Sequence, residues 1–329
     1  MPTDIFHGSD CELRFGVMPD ASTLPVLWHK AEFVSLTVTP SRDRKDRPKL
    51  GAPRTNTLDP VKGIDGFERL SLDLVIDGDS RAAAILLRHV LGAPVTTALV
   101  DDEEAPTGLY SHVWKSGIAA PQFCAFQLRT AANKVRVYRG ITMAALATSA
   151  TGEQIQDFDL QFSLRGVAKS SAPDWLAGAA KAIPAAAPAS RAIYLVDGVP
   201  VERTLQVSWS YDRGIVEDIF LSPTATVSAV RPGTSSLTGS AQFRAVGAEF
   251  DDMEENGEVF ASTLRLLGSV PDHLIDLSHP RAMLNAPPLA IPGPDQIERT
   301  FAWTAHQDET SPAAELTIVT DLAALDLVG

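Results

Sequence analysis

GIDGFERLSLDLVIDGDSRAAAILLRHVLG, residues 63–92, is the stretch that decides the fold, and it predicts a turn, a strand and a capped helix. Apolar residues recur at every second position from Leu70 to Ile76, which is the pattern of a half-buried strand. Asp79 or Ser80 supplies the side-chain oxygen that caps a helix N-terminus. Gly92 stands where a residue of left-handed conformation ends a helix.

A weaker copy of this stretch lies between residues 236 and 268. In it Gly239 matches Gly66, and the segment 264–268 (LRLLG) matches the segment 88–92 (RHVLG). The alternative is that two amphipathic strand–helix units resemble one another by chance. Because order, strand parity and spacing agree together here, the sequence favours an internal duplication.

An alternating strand precedes each copy. Residues 33–39 and 205–211 alternate at period two, which predicts one apolar and one polar face for each strand. The polar positions are Ser35, Thr37 and Thr39 in the first strand and Gln206, Ser208 and Ser210 in the second. The repeated order predicts two lobes, residues 1–176 and 191–329, joined by an alanine- and proline-rich linker at 177–190.

The charge of the chain is acidic and unevenly distributed. The formal net charge is −13 over 329 residues. From residue 189 onward there are 8 Lys and Arg against 20 Asp and Glu, so the C-terminal part carries most of the excess. Affinity for nucleic acid comes from basic residues, so this composition argues against a protein that retains DNA or RNA.

One segment goes against this trend. Residues 41–60 (SRDRKDRPKLGAPRTNTLDP), here called the basic segment, have three prolines and a glycine, which predict a long loop. The basic residues of this segment are Arg42, Arg44, Lys45, Arg47, Lys49 and Arg54, against three acidic ones. A solvated loop and a nucleic-acid arm both fit such a run, although the segment has no aromatic residue for base stacking. A second predicted long loop, 212–233, occupies the equivalent place in the other copy.

The sequence contains no arrangement typical of a catalytic or metal site. The seven histidines show neither HExxH spacing nor cysteine-rich partners, and the glycine motifs of phosphate loops and nucleophile elbows are absent. The two cysteines give no disulfide framework. No apolar run approaches the ~20 residues that span a bilayer, and the N-terminus has no secretory pattern. We therefore expect a non-enzymatic protein without metal or cofactor, made in a reducing cytoplasm.

The order of these features resembles the tail tube proteins of long-tailed, non-contractile bacteriophages. The resemblance rests on the early strand, the long loop, the turn VKGIDGFE at 61–68 and the helix that ends LLRHVLG at 86–92. The segments VYRGITM at 137–143 and FDLQFSLRG at 158–166 resemble the closing strands of that family. The resemblance covers most of the first lobe and, more faintly, the second.

The resemblance implies a mainly β fold with short helices, in which two tandem β-sandwich or partial-barrel lobes each carry a flanking α-helix. It also implies a structural virion protein that assembles in the host bacterial cytoplasm into stacked rings, which form the hollow tail tube through which DNA passes. Family members with two fused lobes form trimers with pseudo-sixfold symmetry. The partners implied are further copies of the chain, the tape-measure, terminator and distal tail proteins, and DNA in transit, with no membrane.

On this interpretation two groups of residues acquire roles. We expect the six polar positions of the two alternating strands to face the lumen of the tube. We expect the six basic residues of the basic segment to contact acidic surface on an adjacent subunit during ring stacking, with residues 251–258 as one such surface. The alternatives are another virion component (a tail terminator, a connector or a capsid decoration protein) and a non-viral β-sandwich binding module.

Overall fold

The residues that the structure describes form a mainly β protein with two short helices. The structure is a computed structural model and describes residues 11–19, 23–45, 64–117, 122–130, 134–152, 158–171, 180–184, 188–218, 229–244, 249–285 and 298–325. The predicted mainly β class with short helices is confirmed, and the sheets pack as a sandwich without closing into a barrel. Neither helix in the described part of the chain is long and apolar enough to cross a membrane.

The first half of the chain contains one helix and eleven strands in its described ranges. These are β1 (Glu12–Val17), β2 (His29–Ala31), β3 (Ser35–Lys45), β4 (Ile64–Asp77), α1 (Ser80–Val90), β5 (Val95–Val100), β6 (Pro106–Lys115), β7 (Cys124–Arg129), β8 (Val135–Thr151), β9 (Asp159–Gly166), β10 (Ala168–Ser171) and β11 (Lys181–Ala182).

The second half contains one helix and ten strands, again among the described residues. These are β12 (Ala189–Val196), β13 (Val199–Pro200), β14 (Thr204–Asp212), β15 (Val216–Asp218), β16 (Ala229–Arg231), β17 (Ser236–Arg244), α2 (Glu249–Asn256), β18 (Val259–Gly268), β19 (Leu274–Asn285), β20 (Glu298–Ala305) and β21 (Glu315–Thr320).

The same pattern of strand pairing occurs twice along the chain. In the first half β1 pairs with β2 and β7, β8 pairs with β7, β9 and β10, and β4 pairs with β3 and β9. In the second half β12 pairs with β13 and β18, β19 pairs with β18, β20 and β21, and β17 pairs with β14 and β20. The β7–β8 pair and the equivalent β18–β19 pair each carry a register shift, between Cys124 and Phe126 and between Phe260 and Ser262. The shared irregularity fixes which residues of the two halves correspond.

Helix α1 forms as its capping residues predict. The side chain of Asp79 accepts hydrogen bonds from the backbone N–H of Arg81 at 2.8 Å and of Ala82 at 3.4 Å. Gly92 has φ 106°, the left-handed conformation that glycine adopts without strain. Between these ends most of the helix surface from Ala83 to Val90 is buried, against β1 and β8 of the first half and β21 of the second half.

The predicted match between residues 264–268 and the end of α1 is wrong. These residues lie in strand β18, where Leu264 and Leu266 are buried and alternate with partly exposed neighbours. β18 is paired on both sides, with β12 and with β19, so tertiary pairing decides its conformation. The helix of the second half is α2, and Gly257, with φ 62°, follows its end.

The match of Gly239 with Gly66 is displaced by several residues. Gly239 in β17 lies opposite Trp303 of β20. The corresponding position in the first half is Leu72 of β4, which lies opposite Leu164 of β9. The repeat is therefore real in order and pairing, but the glycines do not correspond.

The basic segment begins as a strand, contrary to the predicted loop. β3 continues to Lys45, so Arg42 and Arg44 also belong to the strand, and their backbones pair with Glu68 and Asp65 of β4. The three prolines that favoured a loop, Pro48, Pro53 and Pro60, all follow Lys45, so they do not oppose pairing up to that residue. Arg47, Lys49 and Arg54 lie outside the described residues. The second predicted loop also contains strands, because β15 pairs with β16.

One continuous sheet crosses the two halves. Its strand order is β3–β4–β9–β8–β14–β17–β20–β19, and the two halves join where β14 pairs with β8 from Gln206 opposite Thr151 to Asp212 opposite Ala145. Apolar residues such as Leu74, Phe162 and Trp209 point from this sheet into the core. The other face points outward.

The described ends of the predicted linker are held against the first half. β11 pairs in parallel with β2, and the backbone N–H of Lys181 donates to the carbonyl of Trp28 at 2.9 Å. The N–H of Ala189 donates to the carbonyl of Gly78 at 2.9 Å.

Candidate functional site

The outward face of the eight-stranded sheet is a polar surface that the two halves of the chain share. Its strands alternate, so every second side chain points away from the core. One row of directly paired residues crosses all eight strands: Ser35, Val75, Gln161, Ala147, Ser210, Thr238, Thr304 and Met283. We call the surface formed by this row and the parallel rows beside it the polar face.

All six predicted lumen positions lie on the polar face. Ser35, Thr37 and Thr39 in β3 are exposed, as is Gln206 in β14, while Ser208 and Ser210 are partly buried. Ser208 is partly buried because its hydroxyl lies 2.8 Å from that of Ser240 on the neighbouring strand. Sequence alone placed these residues on two separate strands, and the β8–β14 pairing brings them onto one surface.

Charge is sparse and slightly negative over the described part of the polar face. The charged side chains that alternate onto it are Arg69, Asp73, Asp77, Asp159, Arg165, Asp212, Arg244 and Glu298. Arg69 forms an ion pair with Glu217 at 3.1 Å, and Arg244 forms one with Glu298 at 2.8 Å. With two of its three arginines paired and carboxylates in excess, this face should hold phosphate groups poorly, because retention of nucleic acid depends on available cations.

Most of the polar face was missed by sequence reasoning. Ser149, Thr238 and Thr300 are exposed members of it on β8, β17 and β20. Their strands show the same period-two alternation as β3 and β14, which is the signal that a search for further face residues could have used. The alternation does not reveal which strands are neighbours.

A second polar cluster joins the two halves of the chain in the interior. The hydroxyl of Ser80 lies 3.0 Å from Nδ1 of His273, and Nε2 of His273 lies 3.9 Å from Oδ1 of Asp321. These residue types are those of a hydrolase triad, but Ser80 is only 1% exposed, so no substrate reaches its hydroxyl. Burial lowers the pKa of His273, and hydrogen bonds from Arg81 lower the pKa of Asp321. The cluster fastens the first helix to the end of β21.

Cavities and metal-ligating groups give no further site. A cavity of about 210 Å³ lies between Asp77, Phe158 and Ser269, below the ~300 Å³ typical of small-molecule pockets. In the described ranges, no three His, Cys, Asp or Glu side chains are grouped as a metal site requires. The acidic residues predicted as a stacking surface include Asp252, Glu255 and Glu258, which are exposed on and after α2.

The sequence of the chain matches one known protein family over nearly its whole length. The model of that family, which is described as phage tail tube protein, matches residues 8–305. None of the curated proteins compared with the chain matches it.

Proposed function

Because the chain belongs to the phage tail tube protein family, a family of structural proteins of the virion tail, we propose that its copies form trimeric rings that stack into a hollow tube for DNA. Each chain supplies two tube lobes, residues 1–176 and 191–329, joined by the linker 177–190, so that three chains give six lobes per ring. The observation that carries this proposal is the continuous polar face, which already spans two lobes within one chain.

The pairing of β14 with β8, here called the β8–β14 seam, is our template for the contact between chains. In the repeated pairing, β3 corresponds to β14 and β19 corresponds to β8. β14 uses both edges, pairing with β17 and with β8, whereas β3 pairs only with β4 among the described residues. A long edge strand left open invites pairing with another chain. We propose that the free edge of β3 meets the end of the sheet formed by β19 in the next copy, as β14 meets β8, which closes the ring.

The polar face lines the lumen in this arrangement. Ser35, Thr37 and Thr39 and their counterparts Gln206, Ser208 and Ser210 then repeat around the ring as a neutral, hydrated surface. DNA slides past such a wall because few cations hold its phosphates.

The basic segment acts between rings in our proposal. Arg42, Arg44, Lys45, Arg47, Lys49 and Arg54 meet acidic surface on a copy in the adjacent ring, where opposite charge steers association. We further propose that tape-measure, terminator and distal tail proteins bind the tube. The chain itself needs no cofactor or metal and has no enzymatic activity in this role.

Assembly of the purified chain tests the proposal. Negative-stain electron microscopy and sedimentation should detect trimeric rings, and tubes at higher protein concentration. Sedimentation as a monodisperse monomer at high concentration, with no rings on the grid, contradicts it.

A further inference from the structure

One element breaks the repeat between the two halves. Strands β5 and β6 form a hairpin, Val95–Lys115, between α1 and β7. In the second half α2 leads directly to β18, and no described residues form an equivalent hairpin. The described part of each chain therefore contains one such hairpin rather than two. We call it the acidic hairpin after the residues of its tip.

The base of the acidic hairpin is fixed to the body of the chain. β6 pairs with β21 of the second half, from Tyr110 opposite Thr320 to Lys115 opposite Glu315. The indole N–H of Trp114 donates to the carbonyl of Gly92 at 2.9 Å. These contacts place a first-half element on the second-half sheet.

The outer part of the acidic hairpin is exposed. β5 (VTTALV) is uncharged and pairs only with β6 among the described residues. The side chains of Val95 and Val100 at its two ends are 67% and 56% exposed. An exposed, uncharged edge strand is a liability for a lone protein and a common docking element for a partner chain.

The tip of the hairpin carries four adjacent carboxylates. Asp101, Asp102, Glu103 and Glu104 are all exposed. Asp101 shapes the turn, because its Oδ1 accepts hydrogen bonds from the N–H groups of Glu103 and Ala105, both at 2.9 Å. The other three carboxylates make no hydrogen bond that would explain their presence on structural grounds within the described residues.

The acidic hairpin and the basic segment leave the chain at different ends of β4. The basic segment follows Lys45, whose backbone lies opposite Ile64 at the start of β4. Helix α1 begins just after Asp77, at the far end of that strand. Arg81 in its first turn pairs with Asp321, next to the Tyr110 end of the hairpin base, so the tip extends past the N-terminus of α1.

We propose that the acidic hairpin is the docking site for the basic segment of a second copy of this chain in the adjacent ring. The inference rests on the proposed function. The tip offers four negative charges, and residues 41–60 offer six positive against three negative ones. The basic charges lie in the first half, whereas the hairpin is held on the second-half sheet by the β6–β21 pairing, so the contact fixes which lobe of one ring lies over which lobe of the next. That contact selects one of the two lobe orders that a pseudo-sixfold ring otherwise permits.

Reversal of the tip charge tests the docking site. The variant Asp102→Lys, Glu103→Lys, Glu104→Lys keeps Asp101 and hence the turn. Rings should form as in the wild type, while tubes should be lost or the protein concentration needed for tubes should rise about tenfold. The variant Asp252→Lys, Glu255→Lys, Glu258→Lys reverses the same number of exposed charges on the competing acidic surface near α2. It should still form tubes if the hairpin, and not that surface, receives the basic segment.

A charge-swap variant distinguishes loss of the charge contact from misfolding of the tip variant. Adding Arg42→Glu, Arg44→Glu and Lys45→Glu to the hairpin reversal restores the attraction with opposite signs, and tubes should return. Any of three results overturns this inference: the hairpin variant forms tubes as the wild type does, the charge-swap variant does not recover tubes, or only the α2 variant loses them. The proposed tube function still stands in each case. If the wild-type chain makes neither rings nor tubes, the proposed function itself fails.

Discussion

Arg81 and Asp321, which are 240 residues apart in the chain, form a two-point ion pair: Nε of Arg81 donates to Oδ1 of Asp321 at 2.8 Å, and Nη2 donates to Oδ2 at 2.7 Å. The pair fastens the first turn of α1 to the residue that follows β21. Ser80 and His273 form a buried contact beside it. The two halves are therefore joined by side chains as well as by the β8–β14 seam.

Replacing Asp321 with Asn should lower stability by a small amount. The Asp321 side chain is 44% exposed, so solvent screening limits the pair to about 0.5–1 kcal/mol. For a chain of this size the melting temperature should fall by about 1–3 °C. Glu315→Gln is the control, since Glu315 lies 3.8 Å from Lys115 in a looser pair and should change the melting temperature less. Equal effects of the two variants in scanning calorimetry argue against a special role for the Arg81 pair.

Gly239→Ala should destabilise the second half through crowding. A Cβ at this position comes within 2.3 Å of the Trp303 ring, and Trp303 is itself buried. Overpacking of this kind costs about 1–3 kcal/mol. Ser240→Ala, on the opposite face of β17, controls for the strand position.

Combining Gly239→Ala with a substitution of Trp303 tests whether the indole causes the destabilisation. If the indole is the obstacle, Trp303→Phe should remove more stability from the wild type than from Gly239→Ala, since the smaller ring makes room for the added methyl group. Denaturant unfolding of the single and double variants measures this coupling. Strict additivity of the two changes excludes the steric explanation.

The local pattern of the sequence predicted the β4–α1 unit well. Alternation from Leu70 to Ile76 and a cap at Asp79 are short-range features, and both are present. Residues 264–268 were misassigned because a short apolar run fits a helix end and a buried strand equally. Only pairing with β12 and β19, distant in sequence, decides between them.

The same limit applies to the candidate site. Alternation identified the polar sides of β3 and β14, and the order of the two copies placed them as equivalents. The pairing of β14 with β8, which makes one surface of them, is a long-range contact without a local signal. The pairing of β6 with β21 is also a long-range contact, so no local pattern predicts where the acidic hairpin lies in the fold.

Stability should fall on acidification before the carboxylates titrate. Burial lowers the pKa of His89 to about 3 and of His279 to about 4, below the ~6.5 expected in the unfolded chain. Between pH 6.5 and about 4 the unfolded state binds protons that the folded state excludes. Each histidine therefore removes up to about 1.4 kcal/mol of stability per pH unit in this window, and the contribution is fully present above pH 6.5.

Melting temperatures at pH 7.5, 6 and 5 measure this effect. His279→Gln retains a side chain that accepts a hydrogen bond from the Trp303 indole, whose N–H lies 3.0 Å from His279 Nδ1. This variant should show a shallower fall between pH 6.5 and 5 than the wild type. An unchanged slope shows that His279 titrates normally in the folded chain.

Lysines on the polar face should slow DNA without preventing tube assembly. Thr37→Lys, Gln206→Lys and Ser210→Lys add nine positive charges to each proposed trimeric ring, and their positions lie on the outward face of β3 and β14. Added cations bind phosphates with release of counterions, so DNA release from particles built with this variant should be slower at low salt and should recover as salt is raised. The matched control for side-chain size is Thr37→Gln with Ser210→Gln, since residue 206 is already glutamine, and it should release DNA at the wild-type rate. Normal release by the lysine variant at low salt, from tubes of normal length, places these residues away from the path of the DNA.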